Sequence, residues 1–210
     1  MTKKEILQKV GGLSAPSKMP CSGYSIPAQE CKVGAKLRSV KGSTCEKCYA
    51  MKGRYLFGNV KNALYRRLEV IQQDDWVENM VNAISQFNQG DRGYFRWHDA
   101  GDIQSTEHLT KIVQIADALP RVRFWLPTRE IKMIMIWKQL NGEFPKNLVV
   151  RTSAHMIDAE SSNKLTGYSS GVHTGELLKD HYECPAYKQN GQCGACRACW
   201  YEPKVSYPKH

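Results

Sequence analysis

The fold class follows from residues 94–102, YFRWHDAGD, where an aromatic-rich run gives way to acidic residues and a glycine. Residues 94–98 have the character of a β-strand, Ser105 is a suitable N-cap, and residues 107–119 have helical periodicity. The unit recurs in the elements predicted next, a strand over 122–126, a helix over 131–140 and a strand over 148–151. Strand–helix–strand units with short connections predict an α/β fold of parallel strands.

The regions around this alternation have different compositions. Residues 11–58 contain four cysteines and, through residue 48, are rich in Gly, Ser, Pro and Lys without a sustained period. This composition predicts a loop that is ordered by whatever its cysteines bind. Helical periodicity covers residues 59–87, and Asp74 and Asp75 are placed to begin a second helix there. We predict one domain over 1–210, with its core at 59–160 and a cysteine-rich segment at 180–204.

The chain has no apolar run near the roughly 20 residues of a membrane span, and its N-terminus lacks the pattern of a signal peptide. We therefore expect a cytoplasmic protein that does not enter a membrane. Thiols stay reduced in that compartment, so eight cysteines in 210 residues indicate metal binding or catalysis sooner than disulfides. The net charge of +10 also allows nucleic-acid binding through a basic surface.

The cysteines form two groups in the sequence, with none between residues 48 and 184. The C-terminal group has the spacing C-x8-C-x2-C-x2-C and comprises Cys184, Cys193, Cys196 and Cys199. Three ligands within seven residues suit a 4Fe-4S cluster, because a turning chain can place one sulfur on each iron corner. The N-terminal group comprises Cys21, Cys31, Cys45 and Cys48 and predicts a second metal site. Structural zinc remains an alternative, more so for the N-terminal group, which has a single C-x2-C pair.

Polar residues follow each of the three predicted strands. In parallel α/β folds ligands bind at the carboxyl ends of strands, so a shared pocket for an anionic small molecule or for the cluster is predicted. Its residues would be Arg96, His98, Asp99, Asp102, Arg129 and Arg151. The alternative is structural: the aspartates would cap the following helix and the arginines would pair with them or with Glu130. Trp97 and Trp125 are expected to pack outward beneath the helices.

Several stretches together resemble a known family: residues 45–54, 96–102, 127–129, 147–153 and the C-terminal cysteine run. They resemble the phage-encoded family called gene product 88 and, more distantly, radical S-adenosylmethionine (SAM) enzymes. The second resemblance implies a partial (β/α) barrel that carries a 4Fe-4S cluster with one iron open to SAM. The usual C-x3-C-x2-C spacing is absent, since thirteen residues separate Cys31 from Cys45. Four cysteines in each group would also ligate each cluster fully and leave no open iron.

These observations favour a phage-type iron–sulfur protein with one or two 4Fe-4S clusters and a redox or electron-transfer role. Such a protein would need a redox partner. A SAM-dependent enzyme is a variant of this hypothesis, and no catalytic residue is assigned. The alternative, from a different class, is a zinc-stabilised nucleic-acid-binding protein.

Overall fold

The structure is a computed structural model that describes residues 1–209. It is a mixed α/β fold built on one sheet of seven parallel strands. The strands are β1 (Gly23–Tyr24), β2 (Tyr94–Trp97), β3 (Arg123–Thr128), β4 (Leu148–Ser153), β5 (Tyr168–His173), β6 (Tyr182–Glu183) and β7 (Lys204–Pro208). The helices are α1 (Lys3–Lys9), α2 (Lys32–Leu37), α3 (Gly58–Val70), α4 (Trp76–Phe87), α5 (Thr106–Ala118) and α6 (Ile131–Asn141).

The strand order across the sheet is β1-β2-β3-β4-β5-β7-β6. The first five strands lie side by side in chain order; α-helices connect β1 to β2, β2 to β3 and β3 to β4, whereas β4 and β5 are joined without a helix. At the far edge, β7 lies between β5 and β6. The long connection between β6 and β7 holds all four cysteines of the C-terminal run, of which Cys184 follows β6 directly.

The two faces of the sheet are covered differently. Alternate residues of the central strands, among them Phe95, Trp97 and Leu126, pack with α4, α5 and α6 in the main hydrophobic core. A smaller apolar cluster covers the opposite face, formed by Cys21, Trp125 and Trp200 and bordered by Met19, Tyr94, Cys199 and Tyr207. Within residues 1–209, this apolar cluster contains no residue of an α-helix. We call this side of the sheet the inner face.

The predicted strands and helices are confirmed to within a few residues. Ser105 caps α5, since its hydroxyl accepts a hydrogen bond from the His108 amide at 3.1 Å. The prediction for Trp97 is confirmed, whereas the prediction for Trp125 is wrong. Phe124 and Leu126 face the helices, so Trp125 between them must point to the inner face. The strands β1, β5, β6 and β7 were not predicted. Within residues 1–209, none of the helices is both long and apolar enough to cross a bilayer.

Candidate functional site

Three cysteines gather after β1, at the carboxyl edge of the sheet. A side-chain carbon at Gly34 would lie 3.6 Å from the Cys45 sulfur and 3.7 Å from the Cys31 sulfur, so the two thiols flank this glycine. Cys48 packs with Cys31 against the same small alanine cluster. Burial raises the pKa of Cys31 to about 12, and the neighbouring thiols add to this effect. We call Cys31, Cys45 and Cys48 the three-cysteine group.

The other five cysteines gather on the inner face. Cys21 packs in the cluster that Cys199 borders, and the backbone amide of Cys193 donates to the Lys18 carbonyl at 3.1 Å. The Cys193 thiol is 3.8 Å from the Met19 sulfur. Cys184 is tied to β7 by its amide, which donates to the Ser206 carbonyl at 2.9 Å. The five-cysteine group is therefore Cys21, Cys184, Cys193, Cys196 and Cys199.

The structure thus divides the cysteines three and five, whereas the sequence suggested four and four. Cys21 lies with the C-terminal cysteines and not with Cys31, Cys45 and Cys48. All eight are free thiols. Among residues 1–209, no three His, Cys, Asp or Glu side chains are arranged to bind one metal ion together.

Arg96 lies beside the five-cysteine group. Its guanidinium stacks 4.3 Å from the centroid of the Trp125 ring, and Nη1 is 3.4 Å from the Met19 sulfur. Its Nε is buried without a hydrogen-bond partner. Burial raises the pKa of Cys21 and Cys199 to about 12, and the charge of Arg96 opposes that increase. Arg96 therefore supplies positive charge where thiolates would form.

Asp99 retains one free oxygen at the end of β2. The Tyr55 hydroxyl donates to Oδ2 at 2.8 Å, and the Tyr49 hydroxyl donates to the Asp99 carbonyl. Its Oδ1 is buried without a partner. Asp99 lies near Arg96 and Tyr49: burial is the largest influence on the pKa of both of these groups, and the charge of Asp99 raises both pKa values. These groups lie between the two cysteine groups.

Asp102 has a structural role. Oδ1 accepts from the Ile103 amide at 2.8 Å and from the Thr128 hydroxyl at 2.6 Å, while Oδ2 accepts from the Arg129 amide at 2.9 Å. Burial raises the pKa of this carboxyl to about 6, although all three hydrogen bonds favour the charged form. Asp102 joins the ends of β2 and β3 and caps no helix.

The arginines differ in their availability. Nε of Arg129 donates to the Thr44 hydroxyl at 3.0 Å, and its charge lowers the pKa of Cys45 against the effect of burial. Arg129 therefore faces the three-cysteine group. Arg151 is fully buried and donates to four carbonyls, of Ser169, Cys199, Glu202 and Pro203, at 2.6–3.3 Å. It anchors the C-terminal segment to the sheet, with only its buried Nε unpartnered.

His98 does not join the predicted pocket. Its φ of 50° ends β2 and breaks the alternation, and its ring lies 5.5 Å from that of His108 on α5. Both ring nitrogens are buried without partners. Burial, reinforced by His108 and Arg96, lowers its pKa, so the imidazole is neutral. Of the six predicted pocket residues, three border the cysteine groups and have side-chain polar atoms that form no hydrogen bond within residues 1–209. These are Arg96, Asp99 and Arg129.

A groove that was not predicted from the sequence lies next to the three-cysteine group. It has a volume of about 690 Å³ and is lined by residues of α6, by the end of β4 and by the segment 154–165. The Thr44 hydroxyl, one residue before Cys45, donates to the carbonyls of Ala154 and His155. The lining is mostly apolar, and the segment 154–165 contains no helix or strand, so its sequence has no periodicity from which a groove could be predicted.

The fold and site define a class, an all-parallel α/β protein whose cysteines are collected at the carboxyl edge and on the inner face of the sheet. The chain belongs to the Gene product 88 family, whose model matches residues 1–202. No curated protein and no solved structure matches it.

Proposed function

We propose that this protein is an iron–sulfur protein with a redox or electron-transfer role, working in a reducing compartment such as the cytoplasm of the host cell. The observation that carries the proposal is the gathering of all eight free thiols into two groups, although 135 residues without cysteine separate Cys48 from Cys184. Thiolates are the ligands that hold 4Fe-4S clusters. We also propose that the sheet curls into a partial barrel, which the chain-order strands with helices on one face support.

The five-cysteine group has the donor set of a 4Fe-4S cluster, in which each thiolate binds a different iron, so its sulfurs need not converge on one metal ion. Cys184, Cys193, Cys196 and Cys199 would hold it, and Cys21 would remain as a buried fifth thiol beside it. Arg96 would offset the negative charge of the thiolates. Met19 and Trp125 border the group and exclude water, which is a setting that tunes reduction potential.

The three-cysteine group fits a cluster through Gly34. A side chain there would come within 3.1 Å of the Cys31 Cβ, so glycine keeps the space between the thiols open. Three thiolates leave one iron of a 4Fe-4S cluster without a cysteine ligand. Four cysteines, as the sequence suggested for this group, would have left no iron open. A cluster bound there would supply single-electron chemistry and a position for a small-molecule ligand, SAM among them. Arg129 and Asp99 are placed to orient the anionic or cationic groups of that ligand.

The first experiment is quantification of iron, sulfide and zinc in protein purified without oxygen, with an absorption spectrum of the same sample. We expect about eight iron and eight sulfide per chain under the ligation rules for 4Fe-4S clusters. The variants C31S/C45S/C48S and C184S/C193S/C196S should each lose about half of the iron, while C21S should keep it all. A colourless protein without sulfide would overturn the proposal.

A separate experiment tests whether the cluster in the three-cysteine group has an iron without a cysteine ligand. Adding SAM to the dithionite-reduced protein should change the EPR spectrum of the wild type and of C184S/C193S/C196S. The spectrum of C31S/C45S/C48S should stay unchanged. If SAM leaves the wild-type spectrum unaltered, the SAM-dependent form of the proposal fails while the electron-transfer form remains.

A zinc-stabilised nucleic-acid-binding protein is the second candidate, favoured by the chain's net charge of +10. It predicts stoichiometric zinc without sulfide in the same experiment. It also predicts that metal removal by a chelator unfolds the cysteine-rich segments.

A further inference from the structure

Most of the chain's excess positive charge lies in one segment. Residues 30–66 contain nine basic and two acidic residues, a net charge of +7 within the chain's total of +10. Eight of the nine basic side chains are exposed, and none takes part in the ion pairs found among residues 1–209. They are Lys32, Lys36, Lys41, Lys47, Lys52, Arg54, Lys61 and Arg66.

The two acidic residues do not neutralise this charge by ion pairing. Oε2 of Glu46 accepts from the Gly42 amide at 2.8 Å, and Oε1 of Glu30 accepts from the Tyr65 hydroxyl at 3.5 Å. The ninth cation, Arg38, is partly buried and donates to the carbonyls of Ala28 and Gln29. The exposed cations therefore face solvent without ion pairs, although Lys32 lies near Glu107 on α5.

Contacts within the segment hold it together as one unit. Arg38 reaches from α2 to the turn at residues 28–30 and to the Met51 sulfur, and Tyr65 on α3 reaches the same turn through Glu30. The turns at residues 49–51 and 53–56 pack on each other, and the second of them packs on α3. The eight exposed cations thus lie on one connected segment, which also contains Cys31, Cys45 and Cys48.

Large apolar side chains are exposed within this charged surface. Leu56 and Phe57 are each 59% exposed where the chain enters α3, and Tyr65 lies about two turns further along the helix. Exposed apolar side chains interspersed with cations indicate a binding surface, since water solvates the apolar side chains poorly. Because every base has a π-face, an aromatic ring beside cations suits a strand with unpaired bases.

We propose that this surface, formed by residues 30–66 and here called the basic surface, binds single-stranded nucleic acid. The lysines and arginines contact the phosphates, and Phe57 and Tyr65 stack on bases. The inference is independent of which metal the cysteines hold. It places the bound strand beside the three-cysteine group, since Cys48 lies within the basic surface.

Fluorescence anisotropy with a labelled oligothymidylate of about 20 nucleotides tests the proposal, using protein purified with its metal. We expect binding at 50 mM salt that weakens steeply as salt rises. The slope of log K against log salt concentration is the salt slope, and its magnitude should fall by about two in K52A/R54A/K61A. Each phosphate contact on a single strand contributes about 0.7 to this slope, and three contacts would be lost. F57A should weaken binding by about five- to a hundred-fold, the range for one stacked base.

The matched control is K4A/K146A/K179A, which removes the same charge from exposed lysines outside the segment. It should leave the salt slope nearly unchanged, and metal content should stay equal in all variants. Absence of binding by the wild type at 50 mM salt would overturn the proposal. Three further results would each overturn the proposal. They are equal weakening of binding by both triple variants, binding of F57A that equals the wild type, and a preference for phosphatidylserine vesicles over the oligonucleotide.

Discussion

The guanidinium carbon of Arg96 lies 4.3 Å from the centroid of the Trp125 ring, on the inner face of the sheet. Stacking holds the cation against the five-cysteine group. Arg96 takes part in none of the ion pairs found among residues 1–209. Burial raises the pKa of Cys193, and the nearby Arg96 is the largest influence that opposes this. The arginine is thus positioned to stabilise negative charge on sulfur.

Replacing Arg96 by Gln should lower the midpoint potential of a cluster in the five-cysteine group by up to about 100 mV, since a cation favours the more negative reduced state. An EPR-monitored redox titration measures this shift. Arg121→Gln is the control, because Arg121 is exposed on the surface. An unchanged potential in Arg96→Gln would contradict the assignment of this charge to the site.

Gly34→Val should remove about half of the bound iron, because its Cβ would lie 3.1 Å from the Cys31 Cβ and its methyl groups would fill the space between two sulfurs. Metal analysis and a thermal unfolding curve on the same sample measure this. Gly58→Val is the matched control, since no atom lies within 4 Å of the position a Cβ would take there. Full iron content in Gly34→Val would show that this gap does not hold a cluster.

Arg151→Met should lower the free energy of unfolding by about 3–5 kcal/mol, because four carbonyls around a fully buried guanidinium lose their donors. Urea denaturation measures the loss. Limited proteolysis should also show faster cleavage between β6 and β7, which Arg151 holds through Cys199 and Glu202. A loss below about 1 kcal/mol, the size of one ordinary hydrogen bond, would refute the anchoring role.

His108 should make the fold sensitive to acid. Burial lowers its pKa from 6.5 to about 3, with Lys111 contributing. Between these values the unfolded chain binds a proton that the folded chain does not, so the free energy of unfolding falls as pH falls, by up to about 1.4 kcal/mol per pH unit. The raised pKa of Asp102 has the opposite effect between about pH 4 and 6.

Urea denaturation of the wild type and His108→Gln between pH 3 and 7 tests this. Asp102 contributes equally to both proteins, and buried His98, whose ring lies 5.5 Å from that of His108, adds acid sensitivity of its own to both. The stability advantage of the wild type over His108→Gln should shrink below about pH 6.5. A constant difference across this range would mean that His108 does not titrate as its burial requires.

The sequence predicted the elements with strong periodicity. The strand–helix units from β2 to β4 follow from apolar patterns and from the Ser105 cap, and they appear as expected. The missed strands have weak signals: β1 and β6 have two residues each, and β5, YSSGVH, buries serines that usually indicate a loop. Their burial depends on neighbours that are distant in sequence.

The site was predicted less well for a topological reason. Cys21 precedes β1 while Cys31, Cys45 and Cys48 follow it, so a strand of the sheet separates cysteines that look contiguous in sequence. Because β1 was not predicted from the sequence, the four N-terminal cysteines could not be divided correctly between the two groups. His98 was misplaced because periodicity does not reveal a φ of 50° in a residue other than glycine.

The position of β7 between β5 and β6 also dictates an order of assembly. Strand β6 has no partner in the sheet until β7 has paired, yet β7 comes after all eight cysteines in the chain. As the protein emerges from the ribosome, the β1–β5 scaffold can form while the segment with the C-terminal cysteines is still untethered. The five-cysteine group is therefore completed only when β7 can pair, after its last thiol has been translated, so its C-terminal thiols stay accessible until the end of synthesis.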